Sequence, residues 1–296
     1  MRRPNILFLL TDNQRADLLG CAGHPLLRTP HLDRLAARGV RFANAFATTP
    51  VCAASRASYL CGVYERRLPV HVPYPAPGGG VQRHQLPHPA QAVGVPHRLR
   101  RLYRMVSGVD RNIGLIVEAL QRRALLDDTV IIFASDHGMY YGERGLSDCW
   151  QLNEEPIRVP LIVADPRRRR GAQIRTELAL NIDVSPTILE LAGVGCPDIV
   201  QGRSLVPLLA ESGQPWRDAF FCEHLFDRAD IPKSEGIRTT EWKYIRYFEQ
   251  DPVHEELYDL SADAHESTNL APHPTHAERL QEMSTRCDRM REAAAG

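Results

Sequence analysis

The chain has 296 residues, 43% of them apolar and 24% charged, with 36 basic side chains against 36 acidic ones. That length fits one large domain, or a large one with a small companion, and the even charge balance points away from a nucleic-acid partner or an anionic membrane surface. No apolar run nears the roughly 20 residues of a membrane span, and seven scattered cysteines without a CxxC pair argue against a disulfide framework or a zinc knuckle.

The opening Met1–Pro4 runs straight into Asn5–Leu10. This segment is too short for a secretory apolar core and has no small-residue cleavage site. The chain as given therefore reads as cytoplasmic, or as periplasmic or secreted if a leader is missing. Asn5–Leu10 is continuously apolar, as expected of a strand buried on both faces. Pro30–Arg38 reads as a short helix, with proline at its first position and Gly39 as the stop. Val40–Phe46 alternates as a second strand, and a helix should begin just after Cys52.

Residues 68–97 are rich in proline, glycine and histidine and show little periodicity. They read as an irregular segment, with His71, His84, His88 and His97 as solvated loop residues and none of them catalytic. Periodicity returns from Leu102 to Leu120 as a helical stripe. Asp127-Asp128 makes a turn, Thr129–Ala134 is a buried strand, and Val159–Ala164 is the next. Ser185 reads as an N-cap with Pro186 at the first helical position and Gly193 closing the helix. Short strands follow at Ala219–Cys222, Gly236–Thr239 and Trp242–Phe248, then a polar helix at about Thr275–Ala293. The aromatics of Trp242–Tyr247 read as ordinary sheet packing rather than a sugar platform.

The pattern is α/β: a mostly parallel or mixed central sheet flanked by helices. It is expected over 1–67 and 98–215, with a small α+β subdomain of antiparallel strands and a terminal helix over 216–296.

Three polar clusters sit at strand exits or helix starts, where α/β folds place their sites. Asp12-Asn13 follows the first strand, Asp136-His137 follows the strand at Thr129–Ala134, and Cys52 opens a helix with Arg56 one turn on. Two carboxylates, an amide oxygen and a further ligand suit a hard divalent cation. Cysteine, arginine and a helix N-terminus together describe an oxyanion pocket. They leave open whether the anion is sulfate, phosphate or carboxylate.

These residues resemble the type I, formylglycine-dependent sulfatases of the alkaline phosphatase-like superfamily. Pro4–Arg15 is similar to the family's first strand and metal motif, Thr29–Ala36 to its first helix, and Cys52–Gly62 to the nucleophile signature. Val130–Gly145 resembles the second metal motif. Glu154–Leu161 matches the E-E-x-x-R-V-P-L run. Asp183–Gly193, Gln201–Leu205, Gly236–Thr239, Glu256–Leu260 and Asn269-Leu270 also match. The likeness covers about 4–66 and 99–272, and the pattern reads as a family member with an internal deletion or a frame-disrupted segment.

The resemblance implies the alkaline phosphatase-like fold and a sulfuric ester hydrolase of arylsulfatase type, acting on organic, in particular carbohydrate, sulfates. Cys52 would be converted to formylglycine (3-oxoalanine) by a formylglycine-generating enzyme. The aldehyde hydrates, one hydroxyl attacks sulfur, and the other expels sulfate. Arg56 would orient that group, and Asp12, Asn13, Asp136 and His137 would hold calcium. The expected partners are a sulfated small molecule or saccharide and the maturation enzyme, with no nucleic acid and no membrane.

Departures from the family pattern are specific. Ala54 replaces a proline in the cysteine motif, Asn13 replaces an aspartate, and Cys149 stands where many relatives carry a sulfate-gripping lysine. No lysine precedes Lys233. Two other readings follow: a remnant that binds metal or anion without turnover, and a phosphonate or phosphate ester hydrolase of the same superfamily.

Overall fold

A computed structural model describes residues 3–68, 95–168, 171–210, 215–227 and 231–296. The first apolar run is strand β1 (Asn5–Thr11). Helix α1 (Pro30–Ala37) begins at the expected proline. Its first N–H groups find a carboxylate elsewhere in the chain: His31 and Leu32 donate to Asp110 Oδ1 at 3.1 and 2.8 Å.

The run expected as one strand from Val40 to Phe46 is two, β2 (Val40–Phe42) and β3 (Ala45–Phe46). The break falls at Ala43-Asn44. There Arg158 Nη2 donates to the Ala43 carbonyl at 2.7 Å and Asn44 Nδ2 to the Thr176 carbonyl at 2.7 Å. These side-chain bonds take the chain out of one ladder and into another.

Helix α2 (Cys52–Cys61) ends at Gly62, whose φ of 71° suits glycine and whose N–H bonds the Ser58 carbonyl. Helix α3 (Val95–Arg122) takes up the expected stripe. Its first turn is 95–97, residues read from sequence as the tail of the irregular segment. His71, His84 and His88 lie outside the described residues, as does the side chain of His97.

Strand β4 (Thr129–Ser135) is followed by the short pair β5 (Tyr140–Tyr141) and β6 (Ser147–Asp148), then helix α4 (Glu154–Ile157). Strand β7 (Leu161–Ala164) starts two residues later than expected. Pro160 has no N–H to give a ladder, and the Val159 N–H bonds the Ala45 carbonyl instead.

Next come β8 (Gln173–Arg175), β9 (Ala179–Leu180) and helix α5 (Val184–Leu191). Ser185 lies inside α5 rather than capping it. The carboxylate of Asp183 does the local work, accepting the N–H groups of Leu180 and Arg203 at 2.8 Å each. Helix α6 (Val206–Leu209) precedes four strands, β10 (Ala219–His224), β11 (Ser234–Thr239), β12 (Trp242–Tyr247) and β13 (His254–Asp259), and the terminal helix α7 (Ala277–Ala295).

The central sheet has the order β1-β4-β7-β2-β8 and is mixed. β1 and β4 run parallel, while β7 runs antiparallel to both β4 and β2. Strand alternation divides the core. Leu7, Leu9, Ile131, Phe133 and Ile162 face Leu32, Leu35 and Ile113 of α1 and α3. Phe8, Ile132, Ala134 and Val163 face Tyr59, Val184, Leu191 and Leu205 on the other side.

The C-terminal sheet is antiparallel in the order β10-β11-β12-β13. It shares a core with the main body: Phe46, Tyr64, Leu152 and Leu180 pack with Phe220, Ile237, Tyr244, Leu257 and Cys287. The Phe46 and Phe220 rings lie 4.8 Å apart. Tyr244 and Tyr247 are buried in this core, as the packing reading requires. Among the described residues no helix is long and apolar enough to cross a membrane.

Candidate active site

The parallel pairing of β1 with β4 sets Thr11 opposite Ser135, so the residues that leave the two strands emerge side by side. The Asp136 N–H continues the ladder to the Thr11 carbonyl at 3.0 Å. Ser135 Oγ ties the exits together, accepting the Gln14 N–H at 2.9 Å and reaching the His137 carbonyl at 3.0 Å. Asn13 turns the chain at φ 59°, a left-handed conformation that asparagine tolerates better than most residues. Its N–H donates to Asp136 Oδ1 at 3.0 Å. Among the described residues its side-chain amide makes no hydrogen bond.

Helix α2 brings the third cluster. Val51 precedes it in an extended conformation with no side-chain cap, so the first N–H groups of α2 are left for another acceptor. Two bonds fix α2 against the exit of β4: Ser55 Oγ donates to the Asp136 carbonyl at 2.5 Å and Tyr59 OH donates to the Ser135 carbonyl at 2.9 Å. A third ties α2 to the residue after β9, Asn181 Nδ2 donating to Ser55 Oγ at 3.2 Å. Sequence reasoning passed over Ser55, Tyr59, Ser135 and Asn181, whose role depends on pairings distant in the chain.

Asp136 is fully buried and fully engaged. Its Oδ1 accepts the N–H groups of Asn13 and His137, and its Oδ2 accepts Arg56 Nε at 2.9 Å. Arg56 Nη2 also reaches Asp12 Oδ1 at 2.9 Å. His137 is buried, with Nδ1 2.7 Å from the Gly138 carbonyl. A carbonyl can only accept, so Nδ1 carries the proton and Nε2 presents its lone pair. That lone pair faces Cys52 Sγ at 3.0 Å. Gly138 is fixed by crowding, since a Cβ there would lie 2.1 Å from the Glu155 carbonyl oxygen.

The structure thus brings together Asp12, Asn13, Cys52, Arg56, Asp136 and His137, all six of the residues expected from sequence. One ligand atom each from Asp12, Cys52, Asp136 and His137 lies within 4.8 Å of the others. The electrostatics are those of a site too negative for its surroundings. Burial, then the charges of Asp136 and Asp12, push the Cys52 thiol up to about 11 against the opposing pull of Arg56. Burial and Asp136 likewise raise the Asp12 carboxyl. A cation among these groups would relieve both. The two carboxylates and the free Asn13 amide fit a hard ion such as calcium; the imidazole and the thiol are not oxygen donors.

Cys149 is buried beside this cluster, its thiol raised by burial, by Asp148 and by Cys52. Neither lysine supplies charge there. Lys243 is fully buried between Glu154 and Glu266, at 2.7 and 2.6 Å, and Lys233 pairs with Glu249 at 3.0 Å. The Glu154–Leu161 motif is therefore structural here. Glu154 also meets Arg238 of the C-terminal sheet, and the Pro156 carbonyl accepts the Gly138 N–H at 2.7 Å.

Comparison with known proteins agrees with this arrangement. The Sulfatase family model matches residues 4–97 and 82–194, and the model for the C-terminal part of N-sulphoglucosamine sulphohydrolase matches 142–293. An N-acetylglucosamine-6-O-sulfatase of Bacteroides thetaiotaomicron is 33% identical over 183 residues, which are 60% of this chain and 33% of that protein. A choline-sulfatase of Rhizobium meliloti is 38% identical over 181 residues, 60% of this chain and 34% of that protein. A crystal structure of a phosphonate monoester hydrolase of Agrobacterium radiobacter has the same fold at a TM-score of 0.82 and 20% identity, covering 99% of this chain and 96% of that one. The alignments with the two curated relatives span about a third of each relative's length. The chain belongs to the sulfatase family of the alkaline phosphatase-like superfamily.

Proposed function

We propose that this chain is a sulfuric ester hydrolase of the formylglycine type, acting on the sulfate ester of a carbohydrate or a similar alcohol. The observation that carries the reading is the convergence of Asp12, Cys52, Arg56, Asp136 and His137 at the head of α2. Cys52 Sγ stands where the reacting oxygen of a formylglycine would lie, with a formylglycine-generating enzyme as the maturation partner. When bound, calcium supplies Lewis-acid polarisation of the sulfate oxygens, and the converted Cys52 supplies the nucleophile. Asp12, Asp136 and the Asn13 amide would hold the ion.

The chain's own groups do the rest. Arg56, bound to both carboxylates, presents fixed positive charge where negative charge accumulates. His137 Nε2 is placed to accept a hydrogen bond from a hydroxyl at the Cys52 position, and Nδ1–H on the Gly138 carbonyl holds that tautomer. The uncapped first turn of α2 offers N–H groups to an anion.

Charge favours the sulfate reading over phosphate monoesters. Two carboxylates set against Arg56 and a divalent cation leave one net positive charge, because Asn13 is neutral. That matches a sulfate ester, which is a monoanion, better than a dianionic phosphate monoester. The same count accommodates a phosphonate monoester, which makes that the second reading, and the shared fold with a phosphonate monoester hydrolase favours keeping it.

The test is co-expression with a formylglycine-generating enzyme and mass analysis of the Cys52 peptide. Turnover is then measured on the sulfate and phosphonate esters of one alcohol. Loss of the thiol with faster sulfate hydrolysis supports the proposal. Conversion without turnover of either ester would leave the remnant reading.

A further inference from the structure

Many arginines of this chain sit on carboxylates. Arg15 pairs with Asp17 and Glu143, Arg66 with Glu223, Arg144 with Glu266 and Arg217 with Asp183. Helix α3 breaks that pattern. Arg98, Arg100, Arg101, Arg104 and Arg111 are exposed, and among the described residues none of them forms an ion pair. At 3.6 residues per turn, the last four share a stripe about 100° wide and about 16 Å long. Asp110 does not offset them, because it is buried and accepts the N–H groups of His31 and Leu32. The preceding sequence adds no carboxylate either, since 66–109 holds seven arginines and no aspartate or glutamate. In a chain whose charges sum to zero, this is a local concentration of positive charge.

The stripe adjoins the candidate active site. Helix α3 leads through the turn at 126–128 into β4, so its first half stands at the end of the sheet where β1 and β4 finish. There Leu102, Tyr103 and Val106 pack with Leu18, Leu27 and Tyr141, and Tyr141 OH donates to the Asn13 carbonyl at 3.1 Å. Gly108, in the middle of the stripe, answers to no packing demand: a Cβ there would meet no atom within 4 Å. Glycine weakens a helix relative to alanine, but its bareness here lets an extended ligand lie close to the backbone between Arg104 and Arg111. No aromatic ring stands on the stripe for a nucleic-acid base to stack on, because Tyr103 is turned against His24 at 5.1 Å.

We propose that this face of α3 binds a sulfated polysaccharide, holding sulfate groups other than the one at the candidate active site. The choice of ligand rests on the hydrolase reading and extends it from a single ester to a multiply sulfated chain. Each guanidinium is a permanent cation whose N–H fork suits an oxyanion. Neither side titrates near neutral pH, so the attraction depends on salt.

The experiment uses the full chain without conversion of Cys52 and reads binding alone. Hydrolysis of a small monosulfated alcohol tests the hydrolase reading separately, so the two failures are told apart. The probe is a fluorescently labelled heparin oligosaccharide. Its affinity should fall about tenfold or more in the double variant Arg101→Gln, Arg104→Gln. The double variant Arg101→Lys, Arg104→Lys should keep most of the affinity, because the charge stays. Arg122→Gln, Arg123→Gln makes the same change in charge at the far end of the helix and should leave binding within about twofold. Fully desulfated heparin, and double-stranded DNA at equal charge, should each compete about tenfold less well than heparin or worse. Circular dichroism checks that the variants remain folded. The proposal is overturned if the native chain does not bind the probe, if the folded glutamine variant at 101 and 104 binds it equally, or if DNA or desulfated heparin competes as well as heparin.

Discussion

Arg56 holds one oxygen of Asp136 from two nitrogens, Nε and Nη2, each at 2.9 Å. The same Nη2 reaches Asp12, so one planar guanidinium spans both carboxylates. Lysine has the charge without the fork. Arg56→Lys is therefore expected to lower kcat/KM for a sulfate ester by about a hundredfold or more, the usual loss for a preorganised charge in a transition-state site. Arg56→Ala should also lower the urea midpoint, because buried Asp136 loses its cation. Equal activity in the lysine variant and the native chain would contradict this account.

Lys243 has no exposure to water and lies between the carboxylates of Glu154 and Glu266. Breaking a buried pair from one side leaves uncompensated charge, at a cost of about 3–5 kcal/mol. Lys243→Met should lose about that much stability by urea unfolding. The triple variant Lys243→Met, Glu154→Gln, Glu266→Gln should recover little of it, since Glu154 also pairs with buried Arg238 and Glu266 with Arg144, and both guanidinium groups would lose these partners.

Two groups, half-buried Glu65 and buried His224, give opposing dependences on pH. Burial, with a contribution from Glu223, pushes the Glu65 carboxyl up to about 7 from its ordinary 4.5. The folded chain then holds more protons at Glu65 between those values, and its stability falls as pH rises through that window. Burial pushes His224 down to about 4 from its ordinary 6.5. Here the unfolded chain holds more protons, and stability rises with pH across the interval. The two slopes offset each other between 4.5 and 6.5. Across that range Glu65→Gln should make stability climb more steeply with pH, and His224→Asn should make it decline. Urea midpoints measured at several pH values read both effects.

Cys149 is the position where the family pattern calls for a cation, and the thiol there is buried beside Cys52. Cys149→Lys should tighten binding of inorganic sulfate about tenfold or more, read by competition against a sulfate ester. The longer side chain should cost about 1–3 kcal/mol of stability through overpacking. Unchanged sulfate affinity in a folded variant would mean that position 149 does not face the anion.

The convergence of the candidate residues was readable in the sequence because its parts are local signals. Asp12 and Asp136 end continuous apolar runs, and Cys52 with Arg56 occupies the first turn of a helix, so each announces itself within a few residues. What binds the parts together was not readable. Ser55 and Tyr59 reach the carbonyls of Asp136 and Ser135 across some 80 residues of chain, and nothing near Ser55 marks that pairing. Glu154 looked like part of a family signature, and its partners Lys243 and Arg238 come from the C-terminal sheet, some 80 to 90 residues on. The split of Val40–Phe46 was missed for a related reason. Its alternation is that of a single strand, and the interruption comes from Arg158 and the Thr176 carbonyl, which period alone cannot reveal. The same holds for α5, where Ser185-Pro186 has the composition of a helix start but the helix begins at Val184 and Asp183, two residues before Ser185, supplies the contacts.

The aromatic contact between Phe46 and Phe220 reaches beyond packing. The strand that carries Phe46 leads directly into the segment before Cys52, and the Glu223 N–H bonds the Thr48 carbonyl at 2.9 Å. Residues from the last quarter of the chain therefore brace the approach to the nucleophile position. A chain cut ahead of β10 would leave Phe46, Tyr64, Leu152 and Leu180 facing water and the entrance to α2 without its brace. Unfolding should accordingly proceed as one event rather than two, with the reactive centre and the distal sheet lost together.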